Sequence, residues 1–165
     1  MNEALVEMFE YNGWATATLV DACRHAPGTL LDRELPGISG SVRSVLLHLV
    51  GGQQTQALRT QGRQHEGELT RSSLFPGFDE LLRQAEQSGT VLIEIARRLE
   101  GNERVVIPWQ GKGFEFPVRF FLTHALEHGV EHRTEIKVAL GQMGFATPDL
   151  DGWNFAAARG YGTEV

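Results

Sequence analysis

Cysteine is almost missing from this chain of 165 residues, with Cys23 its one thiol. That excludes an internal disulfide framework and any zinc site built from several thiolates. Long hydrophobic runs are missing as well. The longest apolar stretches, such as Val45 to Val50, fall far short of the ~20 residues a membrane-spanning helix needs. There is no basic block, and 15 Lys and Arg stand against 21 Asp and Glu, for a formal net charge of −6. Nucleic-acid affinity rests on phosphate neutralisation, so an acidic chain is a poor partner for it. The opening Met-Asn-Glu-Ala carries no basic stretch, so no signal peptide is expected and the expected location is the cytoplasm. What is present is ordinary for a folded protein: 41% hydrophobic and 22% charged residues, too apolar for a disordered chain. The length favours a single domain over residues 1–165 with a real apolar core.

Apolar residues recur at three- and four-residue steps in four long segments, the signature of amphipathic helices. The first is expected over residues 2–25, with Leu5, Met8, Phe9, Ala15, Leu19, Ala22 and Cys23 inward; Pro27-Gly28 stops it. Ser41 is a plausible N-cap for a second helix reaching to about Gln61, with Gly51-Gly52 in its interior. A third is expected over Asp79 to Leu99. Between Glu103 and Phe116, β-prone residues flank Gly111-Lys112-Gly113 and predict a small hairpin. Pro117 suits the first turn of a fourth helix, which runs to about Gln142. A short apolar piece, Trp153 to Ala158, lies in the tail. The expected fold class is therefore all-α, a four-helix bundle with a hairpin between helices three and four. The two longer connections exceed what adjacent antiparallel helices need and suggest crossovers.

Three of the six histidines, His124, His128 and His132, fall within nine residues of the fourth helix. Residues four apart share a helix face, so His128 and His132 can converge on one ion. At about 100° per residue, His132 lies near the centre of the stripe formed by Phe121, Ala125, Ile136, Ala139 and Met143. His128 is displaced by about 40° and His124 by about 80°, which places His124 at the rim. A pair needs a further ligand, and His48, in Leu46-Leu47-His48-Leu49-Val50, is the best candidate. Three histidines from two helices leave coordination positions open, as a catalytic site requires. The competing reading makes each a core histidine with a hydrogen-bond partner. Gly129, between the pair, marks either close packing or ligand access.

Other features carry less. His128-Gly-Val-Glu131-His132 fits an H-x-x-E-H protease pattern, but such enzymes need a downstream acidic ligand and a larger fold. Glu127, Glu131 and Glu135 form an i, i+4 stripe that reads first as a solvated acidic face; Glu131 is the member most worth testing as a base or ligand. Arg133 could hold a carboxylate, with a surface salt bridge the simpler expectation. Cys23 reads as inert core. Trp14, Trp109 and Trp153 read as core or lid residues. The glycines at 37–40 and 111–113 match no phosphate-binding loop.

Several stretches together resemble the DinB family. Tyr11-Asn-Gly-Trp14-Ala is similar to its opening helix, and Val42-Arg43-Ser-Val-Leu-Leu-His48 to its second-helix motif ending in a metal-binding histidine. Leu122-Thr-His124-Ala-Leu-Glu-His128-Gly-Val-Glu-His132-Arg133 resembles its fourth-helix signature, and Pro148-Asp-Leu-Asp151-Gly-Trp153 the tail of one subgroup. The resemblance implies a DinB/YfiT-like bundle of up-down-down-up topology and a homodimer. It implies a divalent metal (zinc, nickel, manganese or iron) on His48, His128 and His132. The family it resembles includes thiol-dependent transferases and isomerases that use bacillithiol, mycothiol or glutathione. A metal that lowers the pKa of a bound thiol or water makes a metal-dependent thiol transferase or hydrolase acting on a small molecule the leading expectation. Glu131 or His124 could then move a proton or orient a ligand, and Arg133 could hold a carboxylate. The alternatives are a non-catalytic metal- or ligand-binding bundle of a stress response, and a structural dimer without metal.

Overall fold

The computed structural model describes residues 2–64 and 67–162. Helix α1 spans Glu3–Arg24, capped by the Asn2 side chain, which accepts from the Leu5 amide. A four-residue helix α2, Gly28–Leu31, follows where the sequence suggested only loop; it buries Leu31. Helix α3 is Val42–Arg59, and Ser41 is its N-cap as expected, accepting from the Ser44 amide. Helix α4 is Phe78–Arg98. Strands β1, Arg104–Trp109, and β2, Lys112–Pro117, pair antiparallel. Helix α5 is Val118–Gln142 and α6 is Gly152–Ala158. The hairpin turn is Gln110-Gly111, one residue earlier than the glycines suggested. Both turn residues have positive φ, 49° and 74°, the two-residue turn whose twist matches the strands, so Lys112 pairs with Trp109.

Helix α1 packs on α4 and α5, and α3 packs on the same two, so α1 and α3 are diagonal. Arg133 on α5 reaches Asn12 and Thr16, while Gly129 abuts Asn12, so α5 runs parallel to α1. Arg24 at the end of α1 meets Asp79 at the start of α4, so these two are antiparallel. Gln53 on α3 meets Ala85 and Ser88 on α4, and Ala57 shares a cluster with Leu92; those helices run parallel. The topology is up-down-down-up. The long α1–α3 connection crosses the bundle diagonal, as the loop lengths suggested.

Two apolar clusters fill the interior. One gathers Leu19, Leu46, Val50, Leu81 and Ile136; the other gathers Phe9, Ala57, Leu92, Leu122 and Ala125. Between them, each of the four long helices α1, α3, α4 and α5 carries a buried polar group. Arg133 Nη1 donates to Asn12 Oδ1 at 2.7 Å and Thr16 Oγ1 at 2.9 Å. Asn12 Nδ2 donates to Gln53 Oε1 at 3.2 Å, and Gln53 Nε2 donates to the Ala85 carbonyl at 2.7 Å. Mismatched polar groups inside a low-dielectric core are costly, so this belt fixes the register of all four helices. The sequence reading missed it. It placed Met8 on the inward face, but Met8 is exposed, and Asn12 and Thr16 are buried there instead. Of the tryptophans read as core or lid residues, Trp109 and Trp153 are exposed and so not core. Trp14 is half-buried and packs with Tyr11 and Phe155 of α6, where Tyr11 also donates to the Leu150 carbonyl. Cys23 is fully buried, and burial pushes its thiol up to about 12. Among the described residues, no helix is long and apolar enough to cross a membrane.

Candidate metal centre

The α3–α5 contact brings His48, His128 and His132 together. One ring nitrogen from each lies within 4.8 Å of the other two. The Nε2 atoms of His48 and His128 are 3.3 Å apart. Two nitrogens bound tetrahedrally to one zinc at about 2.0–2.1 Å would stand roughly 3.3 Å apart. The ring centroids of His48 and His132 are 4.6 Å apart, and those of His128 and His132 are 4.4 Å apart. His132 is buried, and the other two are partly open.

The protonation states suit ligation. Burial, aided by the Arg71 guanidinium and the His132 ring, holds the His48 imidazole down at about 4. Burial and the neighbouring His132 and His48 rings hold His128 at about 3. Both imidazoles are therefore neutral near pH 7, the state in which a ring nitrogen can ligate a cation. His132 Nδ1 lies 2.7 Å from Glu135 Oε2. With Glu135 ionised, Nδ1–H donates and Nε2 keeps its lone pair, the outer-shell arrangement typical of metal-bound histidine. Burial alone would raise the Glu135 carboxyl; the Ser39 amide and the His132 ring outweigh it and hold it below its ordinary value. The Ser39 amide donates to Glu135 Oε1, and Arg71 Nη1 donates to the Ser39 carbonyl at 2.7 Å. A chain of contacts thus runs from Arg71 through Ser39 and Glu135 to His132.

The two glycines inside α3 make this packing possible. A methyl group on Gly51 would fall 1.7 Å from the Leu69 carbonyl oxygen. Its absence lets the segment carrying Arg71 lie directly on α3. A methyl group on Gly52 would fall 2.1 Å from Cε1 of His128. The space that a side chain would fill is where the His128 ring sits. A neutral nitrogen donor set, the spacing of two of its atoms and this shaped recess all fit a divalent transition metal.

The remaining sequence candidates fall elsewhere. His124 is half-buried at the rim, its ring centroid 6.0 Å from that of His128. Glu131 is exposed and acts on His48 only through space. Within the acidic stripe, Glu135 is the residue in contact with the histidines; the missed signal was its three-residue spacing after His132. Arg133 is 3% exposed, so it makes no surface salt bridge. Its partners are the neutral oxygens of Asn12 and Thr16, and burial pushes its guanidinium down to about 10, still charged at neutral pH. Gly129 is a packing notch, since a methyl there would fall 2.4 Å from Asn12 Oδ1.

The DinB family model matches residues 1–163. The chain belongs to the DinB family. A solved DinB-like protein from Bacillus cereus ATCC 10987 shares the fold with a TM-score of 0.64 at 20% identity, covering 90% of this chain and 99% of that one. At that identity the likeness speaks for the bundle alone. None of the curated proteins compared matches this chain. The trio of histidines in this DinB chain could hold a metal ion.

Proposed function

We propose that this chain, a single bundle domain, holds a divalent metal through His48, His128 and His132. We further propose that it acts on a small molecule as a metal-dependent thiol transferase or hydrolase. The observation that carries the reading is the convergence of three ring nitrogens within 4.8 Å. A bound ion would lower the pKa of a thiol or water at an open position and so supply a nucleophile near neutral pH. Glu135 keeps the proton on the outer nitrogen of His132 and turns the other inward. His48 and His128 stay neutral because their surroundings disfavour the imidazolium. Arg71 adds positive charge near both rings, which suits an anionic substrate or the carboxylate of a low-molecular-weight thiol cosubstrate. Imidazole donors accept zinc, nickel or iron, and manganese belongs in the same trial set.

Elemental analysis of tag-free protein beside a His48/His128/His132 triple-alanine variant tests the reading. About one metal per chain, absent from the variant, is expected if the three residues form one site. No metal after reconstitution with zinc, nickel and manganese overturns it. A loaded protein that turns over no substrate in a thiol and ester panel would be the non-catalytic binder instead. A homodimer in the cytoplasm belongs to the same proposal, and sedimentation velocity tests the dimer.

A further inference from the structure

A second feature lies one helical turn from the histidines. Beneath the β1–β2 hairpin is a cavity of about 480 Å³, within the size range of small-molecule sites. Its walls are Ile107, Trp109, Phe114, Phe116, Phe120 and Phe121; its polar groups are Arg59 and His124. The phenylalanines hold one another in place: Phe116 stacks on Phe120 at 5.7 Å, and Phe120 meets Phe121 edge-on at 5.2 Å. Even so, Trp109 is 59% exposed, Phe114 45% and Phe120 46%. A folded chain rarely leaves such a patch open without a use for it.

Two observations indicate what fills it. First, Arg59 ends α3 at the cavity wall, half-buried, with no hydrogen bond or ion pair among the described residues. An unpaired cation beside an apolar recess favours an anion, and a planar guanidinium suits a carboxylate best. Second, the cavity adjoins the histidine cluster through His124. His124 lines it, and the His124 ring centroid lies 6.0 Å both from the Phe120 ring and from the His128 ring. A concave site beside a candidate reaction centre suits a small molecule better than a flat protein partner does.

We propose that this pocket holds the apolar, preferentially aromatic body of a carboxylate-bearing small molecule, with Arg59 taking the carboxylate and His124 at the end nearer His128. That this molecule is the substrate rests on the proposed metal-centred function; its binding does not.

Calorimetric titration of chelator-treated protein with 2-naphthoate and with the neutral 2-naphthylmethanol tests the pocket. The carboxylate should bind about tenfold more tightly than the alcohol. Arg59→Gln should remove that advantage and leave the alcohol unchanged. Phe120→Ala, at a half-exposed position, should weaken both while the helical signal persists. The His48/His128/His132 triple-alanine variant should bind 2-naphthoate as the parent does, so failure of the metal site and failure of the pocket read out separately. No saturable binding, or equal affinities unmoved by Arg59→Gln, overturns the proposal. So does sedimentation showing that this face is covered by a second copy and that the naphthyl probes bind only after Phe120→Asp separates the pair.

Discussion

Gly52→Ala is the sharpest perturbation of the candidate metal centre, because it touches a proposed ligand without replacing one. The added methyl would lie 2.1 Å from Cε1, 2.4 Å from Nε2 and 2.9 Å from Nδ1 of His128. Non-bonded carbon atoms settle at about 3.5–4.0 Å, so the ring must retreat by roughly 1.5 Å. A metal–ligand distance tolerates about 0.2 Å, so a shift of that size breaks the bond or drags the ion away from His48 and His132. Global stability should respond differently. The displaced atoms are the far end of one side chain, and overpacking of this kind costs about 1–3 kcal/mol. Alanine recovers about 1 kcal/mol over glycine in a helix interior. The net loss is therefore about 0–2 kcal/mol, small enough to leave the bundle folded. Competitive titration against a chromophoric chelator should show affinity lowered at least about tenfold, while urea unfolding followed by circular dichroism shifts little. Gly52→Ala protein with parental metal affinity would refute the claim that His128 occupies this recess as a ligand.

The histidine pair on α5 was legible because helical periodicity converts a four-residue spacing directly into a shared face. His48 was legible because an imidazole amid Leu46, Leu47, Leu49 and Val50 is out of character. The adjacency of α3 and α5 was not legible: it depends on two chain crossovers, and loop length only permits them. The role of Gly51-Gly52 was hidden for the same reason. What each glycine accommodates, the Leu69 carbonyl and the His128 ring, comes from remote parts of the chain. Arg133 was misread because its partners, Asn12 and Thr16, lie more than a hundred residues away and carry no charge to suggest a pairing. The acidic stripe misled in a subtler way. Three glutamates spaced by four share a face in projection, but only Glu135 is partly buried among them, because the segment bearing Ser39 passes over it. Periodicity reports which face an element buries; it cannot report which loop comes to rest there.

Three further outcomes follow from the same geometry. Glu135→Gln removes the negative acceptor shared by His132 and Ser39, and should lower metal affinity about 10–100-fold while leaving the helical signal intact. Unchanged affinity in the same chelator competition would mean that Glu135 serves only the loop. Arg133→Met deprives Asn12 Oδ1 and Thr16 Oγ1 of their donor inside the core, at a cost of about 1–3 kcal/mol each. Urea unfolding should locate that loss, and a variant as stable as the parent would show that the polar belt does not fix the helix register. The last concerns Cys23, whose thiol burial pushes up to about 12 against about 8.5 in an unfolded chain. Only the unfolded state releases this proton between those values, so the fold loses stability as pH rises through that window, by up to about 1.4 kcal/mol per unit. Tyrosines and lysines also titrate there, and comparison with Cys23→Ala isolates the thiol: the parent should weaken more steeply from pH 8.5 towards 11. Parallel pH profiles for the two proteins would show that the thiolate is tolerated where the structure leaves it neither water nor a cation.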